Sequence, residues 1–169
     1  TVWLALSLSD QSSGCMDFVK GSFKNPILPH YDTFEKDNLL SRGQEINIEI
    51  KEEDKTNIIL NPGEISLHHG LTIHGSGQNF SNDRRIGIAM RYLNPEIKQM
   101  EAKKDFAILA RGKDQYNNFI KYNPAKILFS KKDLQFYDKI RSFQSKALMK
   151  NSKQGFDLYQ GNKGVESPI

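Results

Sequence analysis

The sequence predicts an all-β double sheet with one helix near its C-terminal end. Short stretches alternate apolar and polar residues, which is the period of a half-buried strand. Turn-forming residues, mainly Gly, Pro and Asn, separate these stretches. A long run with helical spacing follows Ser130. Many short strands followed by a single helix indicate two packed sheets rather than an α/β architecture.

The first predicted strand covers residues 2–8. Its two faces differ, since Val2, Leu4, Leu6 and Leu8 alternate with Trp3, Ala5 and Ser7. A turn at residues 10–15 precedes a short strand at 15–19. Core packing is the simplest role for Trp3.

Further strands are predicted at residues 45–50, 57–60, 65–73 and 86–92. Pro62-Gly63 is a turn signal, and residues 75–83 form a turn-rich connector. We expect this connector to bring His74 and the Arg84-Arg85 pair onto neighbouring antiparallel strands.

Ser130 and Asp133 resemble a capping box, which predicts a helix over residues 131–150 that covers a sheet. Gly, Asn, Lys and Ser dominate residues 151–169, so a mobile tail is expected there. The 169 residues have the length of one domain, which we place at 1–150. Ten phenylalanines and 37% hydrophobic residues indicate a real core.

The formal net charge is +4, but the lysines are interspersed with acidic residues and form no basic stripe. We therefore expect a small-molecule partner and neither nucleic acid nor membrane. The single cysteine, Cys15, excludes an internal disulfide, and no apolar run could span a bilayer. Thr1 opens directly on a strand pattern, so a cytoplasmic location without a signal peptide is expected.

Residues 62–92 contain three of the four histidines. His74 is predicted at a strand end, where a lone histidine more often has a structural role than a metal-binding one. A neutral imidazole is nevertheless a common metal ligand, and a guanidinium suits a carboxylate. A metal together with a bound carboxylate suggests a keto-acid cosubstrate.

The run His74-Gly75-Ser76-Gly77-Gln78-Asn79, with Arg85 eleven positions after the histidine, closely resembles the distal motif of the phytanoyl-CoA dioxygenase family. Residues 111–119 resemble a late motif of its bacterial members, so the likeness covers roughly residues 1–120. Lys20 and Phe23 depart from the family, which usually has proline and histidine there. The resemblance implies a double-stranded β-helix, or jelly roll, with flanking helices.

Members of this family are Fe(II)- and 2-oxoglutarate-dependent oxygenases. The resemblance implies that His74 is an iron ligand, that Ser76 and Arg85 hold 2-oxoglutarate, and that Trp3 lines its pocket. Arg84 is the alternative to Arg85 for binding the carboxylate of 2-oxoglutarate. Strand alternation favours Arg85, because it shares a face with the small residues Gly87 and Ala89.

His30 and Asp32 have the spacing of the first two ligands of a facial triad. They remain an alternative metal site, because the family's own His-x-Asp would fall upstream of Thr1. We therefore expect a jelly roll that is N-terminally incomplete, and an inactive fragment of an enzyme that hydroxylates an unactivated carbon of a small organic substrate. His68 and His69 point to opposite faces of a strand, so at most one faces His74.

Two other functions stay open. One is a non-catalytic, cupin-like jelly-roll module that binds a small anion near His74. The other is a 2-oxoglutarate-dependent halogenase, which differs from a hydroxylase at the proximal carboxylate.

Overall fold

The computed structural model describes residues 1–35, 40, 42–100 and 104–152. The described residues form ten short strands and one α-helix, which confirms the prediction of a β-rich fold. The strands are β1 (Val2–Ala5), β2 (Met16–Val19), β3 (His30–Asp32), β4 (Gln44–Ile46), β5 (Lys55–Ile58), β6 (Ile65–Leu67), β7 (His74–Ser76), β8 (Gly87–Met90), β9 (Asp105–Ala107) and β10 (Phe119–Lys121). The helix is α1 (Lys131–Leu148), and 3-10 turns lie at Ser22–Lys24 and Glu52–Asp54. The predicted tail, apart from residues 151 and 152, lies outside the described residues.

The chain divides into two compact units. The first unit comprises Thr1–Tyr31 and Glu45–Tyr92, and the second comprises Asp32–Gln44 and Leu93–Ile169. The first unit therefore holds most of the residues singled out from the sequence, and the second holds α1.

Two three-stranded antiparallel sheets form the first unit, in the orders β6-β1-β8 and β5-β2-β7. Strand β1 lies at the centre of one sheet and β2 at the centre of the other. The N-terminal strands thus organise the sheets, and the strands from residues 55–90 add to their edges.

The sheet β6-β1-β8 has two chemically different faces. On one face Val2 lies opposite Leu67, and Leu4 lies opposite Ile65 and Ile88. This is the apolar face that alternation predicts, but Ile65, Leu67 and Ile88 are 50%, 71% and 46% exposed. On the other face Trp3 lies between Ser66 and Ala89, and Ala5 is fully buried. Burial therefore favours the face of small residues around Trp3.

The predicted pairing of the strands before and after residues 75–83 is wrong. Strand β7 pairs with β2, and β8 pairs with β1, so the two lie in different sheets. The connector crosses between the sheets because β1 and β2 each offer a free hydrogen-bonding edge to one of these strands. Arg85 also precedes β8 rather than lying on it.

The strand predicted at residues 65–73 is shorter than its apolar content suggests. Strand β6 ends at Leu67, and a turn follows in which the Thr72 amide donates to the His69 carbonyl. Gly70 lies inside this turn, which separates β6 from β7. His74 is the first residue of β7, so its position at a strand end is confirmed.

In the second unit, α1 starts at the predicted position. The Ser130 side chain accepts a hydrogen bond from the Asp133 amide at 3.2 Å, which is the expected N-cap. The helix packs against β9, which pairs with β10 in parallel. Rings from both elements meet edge to face, with Phe106 5.8 Å from Phe136 and 5.5 Å from Phe143 between ring centroids.

The buried core is smaller than the composition predicts. In the described part of the chain, Ala5, Cys15 and Met16 are the buried apolar residues, and no phenylalanine there is fully buried. The apolar content sets an upper limit on the apolar side-chain surface that can be buried. The arrangement of the strands decides how much of that surface is buried. No helix in the same part of the chain is long and apolar enough to cross a bilayer.

Candidate functional site

A cleft of about 430 Å³ opens in the first unit beside the small-residue face of β1. Its lining residues are Thr1, Trp3, Met16, His68, Gly70, His74, Ala89, Arg91 and Tyr92. Two predicted site residues, Trp3 and His74, therefore face the same space.

His74 is held in a defined orientation. It lies opposite Phe18 in the β2–β7 pair, and its Nδ1 donates to the Thr72 carbonyl at 2.7 Å. A carbonyl can only accept, so Nδ1 carries the proton and Nε2 keeps its lone pair. Histidines that bind metals are typically fixed in this way through their second nitrogen.

Ser76 lies on β7 and Arg85 lies just before β8, and the two side chains are in direct contact. The Arg85 guanidinium donates from Nη2 to Ser76 Oγ at 2.7 Å, and Ser76 Oγ donates to the Gly14 carbonyl at 2.9 Å. The guanidinium also lies over the indole of Trp3, with Cζ 5.6 Å from the ring centroid. Trp3, Ser76 and Arg85 thus form one connected group. Trp3 shares the cleft with His74, whereas Ser76 and Arg85 are not among the residues that line it.

Small residues on β8 make room for the indole. Ala89 lies directly opposite Trp3, and Gly87 lies beneath its ring. A Cβ on Gly87 would lie 2.1 Å from Cζ2 of Trp3. No side chain at position 87 therefore fits while the indole keeps its position. Arg85, Gly87 and Ala89 thus border Trp3 together, in agreement with the alternation in the sequence.

Arg84 differs clearly from Arg85. Arg84 is exposed, and its amide is bonded to the Asp83 carboxylate. Arg85 is half-buried and contacts both Ser76 and Trp3. The geometry thus distinguishes two arginines that the motif leaves in competition.

The segment after β7 is held against the loop that precedes β2. Gly14 has φ of 69°, and a Cβ there would lie 2.6 Å from the Gly77 carbonyl oxygen and 2.9 Å from that of Gln78. Only glycine satisfies both the backbone conformation and this close approach. Gly14 therefore allows the Ser76 region to sit where Arg85 can reach it.

His30 and Asp32 have other partners. His30 Nδ1 is bonded to the Leu28 carbonyl at 2.7 Å. Both carboxylate oxygens of Asp32 accept hydrogen bonds from Arg42, and Gln44 adds a third. The Arg42 guanidinium holds the pKa of Asp32 below its usual value. Across residues 1–35, 40, 42–100 and 104–152, no three His, Cys, Asp or Glu side chains are grouped closely enough to hold a metal.

His68 is the histidine of the adjacent pair that faces His74. Their ring centroids are 5.4 Å apart, and Phe18 packs edge-on against His68 at 4.8 Å. Burial lowers the pKa of His68, and the nearby His74, chain amino terminus and Arg91 lower it further. His69 lies beside Phe23 instead. Alternation indicates that one of the two faces His74, but the turn after β6 decides which.

A family model described as Phytanoyl-CoA dioxygenase (PhyH) matches residues 1–87 of the 169. This match includes Trp3, His74, Ser76 and Arg85. The chain belongs to the phytanoyl-CoA dioxygenase family. The sequence resemblance drawn from the distal motif is thereby confirmed.

Curated members of the phytanoyl-CoA dioxygenase family match more than half of this chain. The peroxisomal phytanoyl-CoA dioxygenase of Bos taurus is 31% identical over 96 residues, which cover 53% of this chain and 27% of the relative. That of Homo sapiens is 28% identical over 105 residues, covering 60% and 30%. The chain therefore spans less than a third of the length of these relatives.

Solved structures of a non-heme monooxygenase, ThoJ, have a fold similar to that of the present chain. The apo form has a TM-score of 0.75 at 28% identity, over 88% of this chain and 52% of ThoJ. A ThoJ–Ni complex has a TM-score of 0.67 at 22% identity, over 88% and 51%. The likeness extends beyond the family match and covers about half of the ThoJ chain.

Proposed function

We propose that this chain forms part of the active site of an Fe(II)- and 2-oxoglutarate-dependent oxygenase with a jelly-roll core. One observation carries the proposal: Arg85 contacts Ser76 and lies over Trp3, and Ser76 is on the same strand as His74. This geometry supports the proposal because it links residues, spread over more than eighty positions, that the family resemblance singles out.

His74 fits the role of an iron ligand. Its Nδ1–H is engaged by the Thr72 carbonyl, so Nε2 is the nitrogen left for a metal in the cleft. The carbonyl contact fixes the tautomer and limits rotation of the ring. The metal would therefore meet a ligand that is already oriented.

Arg85 and Ser76 fit the role of a carboxylate clamp. A guanidinium presents a planar fork of donors, and the Ser76 hydroxyl, which donates its one proton to the Gly14 carbonyl, accepts from Arg85 and holds that fork in place. The Trp3 ring shields one side of the guanidinium from water, which strengthens its interaction with an anion. These residues would hold the far carboxylate of 2-oxoglutarate while His74 serves the metal end.

When bound, the iron centre would use O₂ to convert 2-oxoglutarate to succinate and CO₂ and to turn one substrate C–H bond into C–OH. The residues of this chain would bind and orient the cosubstrate for that reaction. A small organic molecule is the proposed substrate.

His74 lines the cleft, and no group of three His, Cys, Asp or Glu side chains that could hold a metal occurs among the described residues, whereas a facial triad needs two histidines and a carboxylate. The alternative ligand Asp32 is committed to Arg42 and Gln44. We therefore propose that the 169 residues by themselves bind Fe(II) weakly and hydroxylate nothing.

The test is an anaerobic titration of the chain with Fe(II) and 2-oxoglutarate, followed by the charge-transfer absorption of the chelate. Arg85→Ala should weaken 2-oxoglutarate binding by about ten- to a hundredfold, as expected for a lost hydrogen bond to a charged group. His74→Ala should abolish the absorption. Arg84→Ala is the matched control, because Arg84 is the exposed neighbour.

Two results would overturn the proposal. One is an equal loss of affinity in Arg84→Ala and Arg85→Ala. The other is 2-oxoglutarate absorption that survives in His74→Ala, or that is absent from the unaltered chain at millimolar metal and cosubstrate.

A further inference from the structure

Arg91 is a cationic side chain in the cleft whose charge no other described residue neutralises. It follows β8 directly and lines the cleft of about 430 Å³ together with His74. Within residues 1–35, 40, 42–100 and 104–152, its side chain has no ion pair and no hydrogen-bond partner. The residues that line the cleft include no Asp or Glu. The guanidinium of Arg91 therefore borders a space that these residues supply with no carboxylate.

The register of β8 explains why Arg91 lies at the cleft. Successive side chains of a strand point to opposite faces, and Ala89 lies directly opposite Trp3 on the cleft side. Arg91 is two positions after Ala89, so the alternation brings it to the same side. Val2 and Met90 are the outermost residues paired between β1 and β8. Arg91 thus lies just past the paired region, where a long side chain has room.

Arg85 and Arg91 lie at opposite ends of β8 and have different surroundings. Arg85 donates to Ser76 Oγ at 2.7 Å and lies over Trp3, and it is not among the residues that line the cleft. Arg91 lines the cleft and makes neither kind of contact. The proposed function uses Arg85 and the metal at His74 for one 2-oxoglutarate. It therefore leaves the Arg91 guanidinium for another anionic group.

The rest of the lining indicates what kind of molecule carries that group. Trp3, Met16 and Ala89 give the cleft an apolar wall. A guanidinium binds a carboxylate or a phosphate through two parallel hydrogen bonds, and an unpaired guanidinium does so without first giving up a partner. A volume of about 430 Å³ lies in the usual range for small-molecule sites. The cleft therefore suits a small molecule with an apolar body and one anionic group.

We propose that Arg91 binds a carboxylate or phosphate group of the substrate, whose apolar body lies against Trp3 and Met16. This inference rests on the proposed function, which assigns the reacting metal to His74 in the same cleft. It narrows the substrate class from small organic molecules to small organic acids and phosphate esters. It also gives Arg91 a role in substrate selection that is separate from the cosubstrate role of Arg85.

The experiment compares the binding of octanoate, octyl phosphate and the neutral octanamide, whose alkyl chains are similar in length. Each probe is titrated into the 169-residue chain, and binding is followed by the fluorescence of Trp3, which is the one tryptophan and lines the cleft. The test variant is Arg91→Gln. Arg84→Gln is the matched control, because Arg84 is exposed and outside the cleft lining. Binding of 2-oxoglutarate with Fe(II) is measured on the same chains and on Arg85→Ala.

We expect the unaltered chain to bind at least one of the two anions about tenfold or more tightly than octanamide, because a hydrogen-bonded charge pair is added. Arg91→Gln should remove this preference and leave the octanamide affinity unchanged, which shows that the apolar wall is intact. Arg84→Gln should keep the preference. A preference for octanoate identifies an organic acid, and a preference for octyl phosphate identifies a phosphate ester.

The inference is overturned if neither anion binds more tightly than octanamide, or if the preference survives in Arg91→Gln. An equal loss of preference in Arg84→Gln also overturns it, because the effect would then come from net charge alone. A loss of 2-oxoglutarate affinity in Arg91→Gln as large as in Arg85→Ala overturns it too, because Arg91 would then serve the cosubstrate.

The two proposals fail in different ways. If 2-oxoglutarate binding depends on Arg85 but neither anion is preferred over octanamide, the proposed function stands and only the role of Arg91 is wrong. If Arg91→Gln removes the anion preference but the unaltered chain binds no 2-oxoglutarate, Arg91 is an anion site and the proposed function fails.

Discussion

At the scale of single residues, the space at Gly87 is the most demanding feature of the candidate site. The indole of Trp3 occupies the position that a Cβ would take, at 2.1 Å. The Arg85 guanidinium lies over the same ring, with Cζ 5.6 Å from its centroid. A side chain added at Gly87 therefore collides with Trp3 and, through the displaced ring, affects Arg85.

Gly87→Ala should displace the Trp3 ring and lower the free energy of unfolding by about 1–3 kcal/mol, the usual range for overpacking. Trp3 is the one tryptophan in the chain, so its fluorescence reports the displacement directly. We expect a red shift in emission as the ring becomes wetter, and weaker 2-oxoglutarate binding as Arg85 loses its support.

Gly75→Ala is the matched control for this change. Gly75 also lies in a strand, but a Cβ there meets nothing within 4 Å. Its emission spectrum should equal that of the unaltered chain. An unshifted spectrum in Gly87→Ala as well would show that the ring moves aside at no cost and does not support Arg85.

At the scale of elements, α1 depends on its N-cap. Ser130 Oγ accepts from the Asp133 amide, and its hydroxyl donates to the Asp133 carboxylate at 2.6 Å. Asp133 also places a negative charge in the first turn, where the helix dipole favours it. The rings of Phe136 and Phe143, which contact Phe106, rely on the helix that starts here.

Ser130→Ala should lower the free energy of unfolding by about 1 kcal/mol, because the Asp133 amide in the first turn of the helix loses its acceptor. Urea unfolding monitored by far-UV circular dichroism measures this. Ser142→Ala is the control, since Ser142 is exposed within the same helix and alanine is the better helix former. A larger loss in Ser142→Ala than in Ser130→Ala would contradict the capping role.

At the scale of the whole molecule, paired carboxylates set the response to acid. Hydrogen bonds from Ser12 lower the pKa of Asp10, those from Arg42 lower the pKa of Asp32, and those from Lys121 lower the pKa of Asp114. The Arg42 and Asp32 side chains are only 13% and 16% exposed. The folded chain thus binds fewer protons than the unfolded chain in the acid range.

The stabilisation from these carboxylates is therefore complete above their ordinary pKa of 3.8 and is lost as the pH falls through their lower folded values. The urea concentration at the midpoint of unfolding, measured from pH 7 to pH 2.5, should decrease once the pH is below about 4. Asp32→Asn should lower the midpoint at pH 7, and its difference from the unaltered chain should shrink in acid. Asp138 is exposed on α1, so the urea midpoint of Asp138→Asn should change with pH in parallel with that of the unaltered chain. A pH-independent difference for Asp32→Asn would contradict this account.

Local patterns in the sequence predicted the parts of the molecule that depend on nearby residues. Alternation located β1 and β8, the turn at residues 10–15 located the start of β2, and Ser130 with Asp133 located the start of α1. Alternation also placed Arg85, Gly87 and Ala89 on one side. Each of these features is decided within a few residues, by side-chain period, turn residues or capping.

Only the tertiary structure decided which strands pair and which side chains meet. Pairing depends on the edges that β1 and β2 offer to distant segments, so it separated β7 from β8 where the turn-rich connector had predicted neighbours. The tertiary structure also decided which face of β1 is buried and which of the two adjacent histidines, His68, faces His74. The motif identifies the residues of the candidate site, whereas the pairing of the strands determines the distances between them.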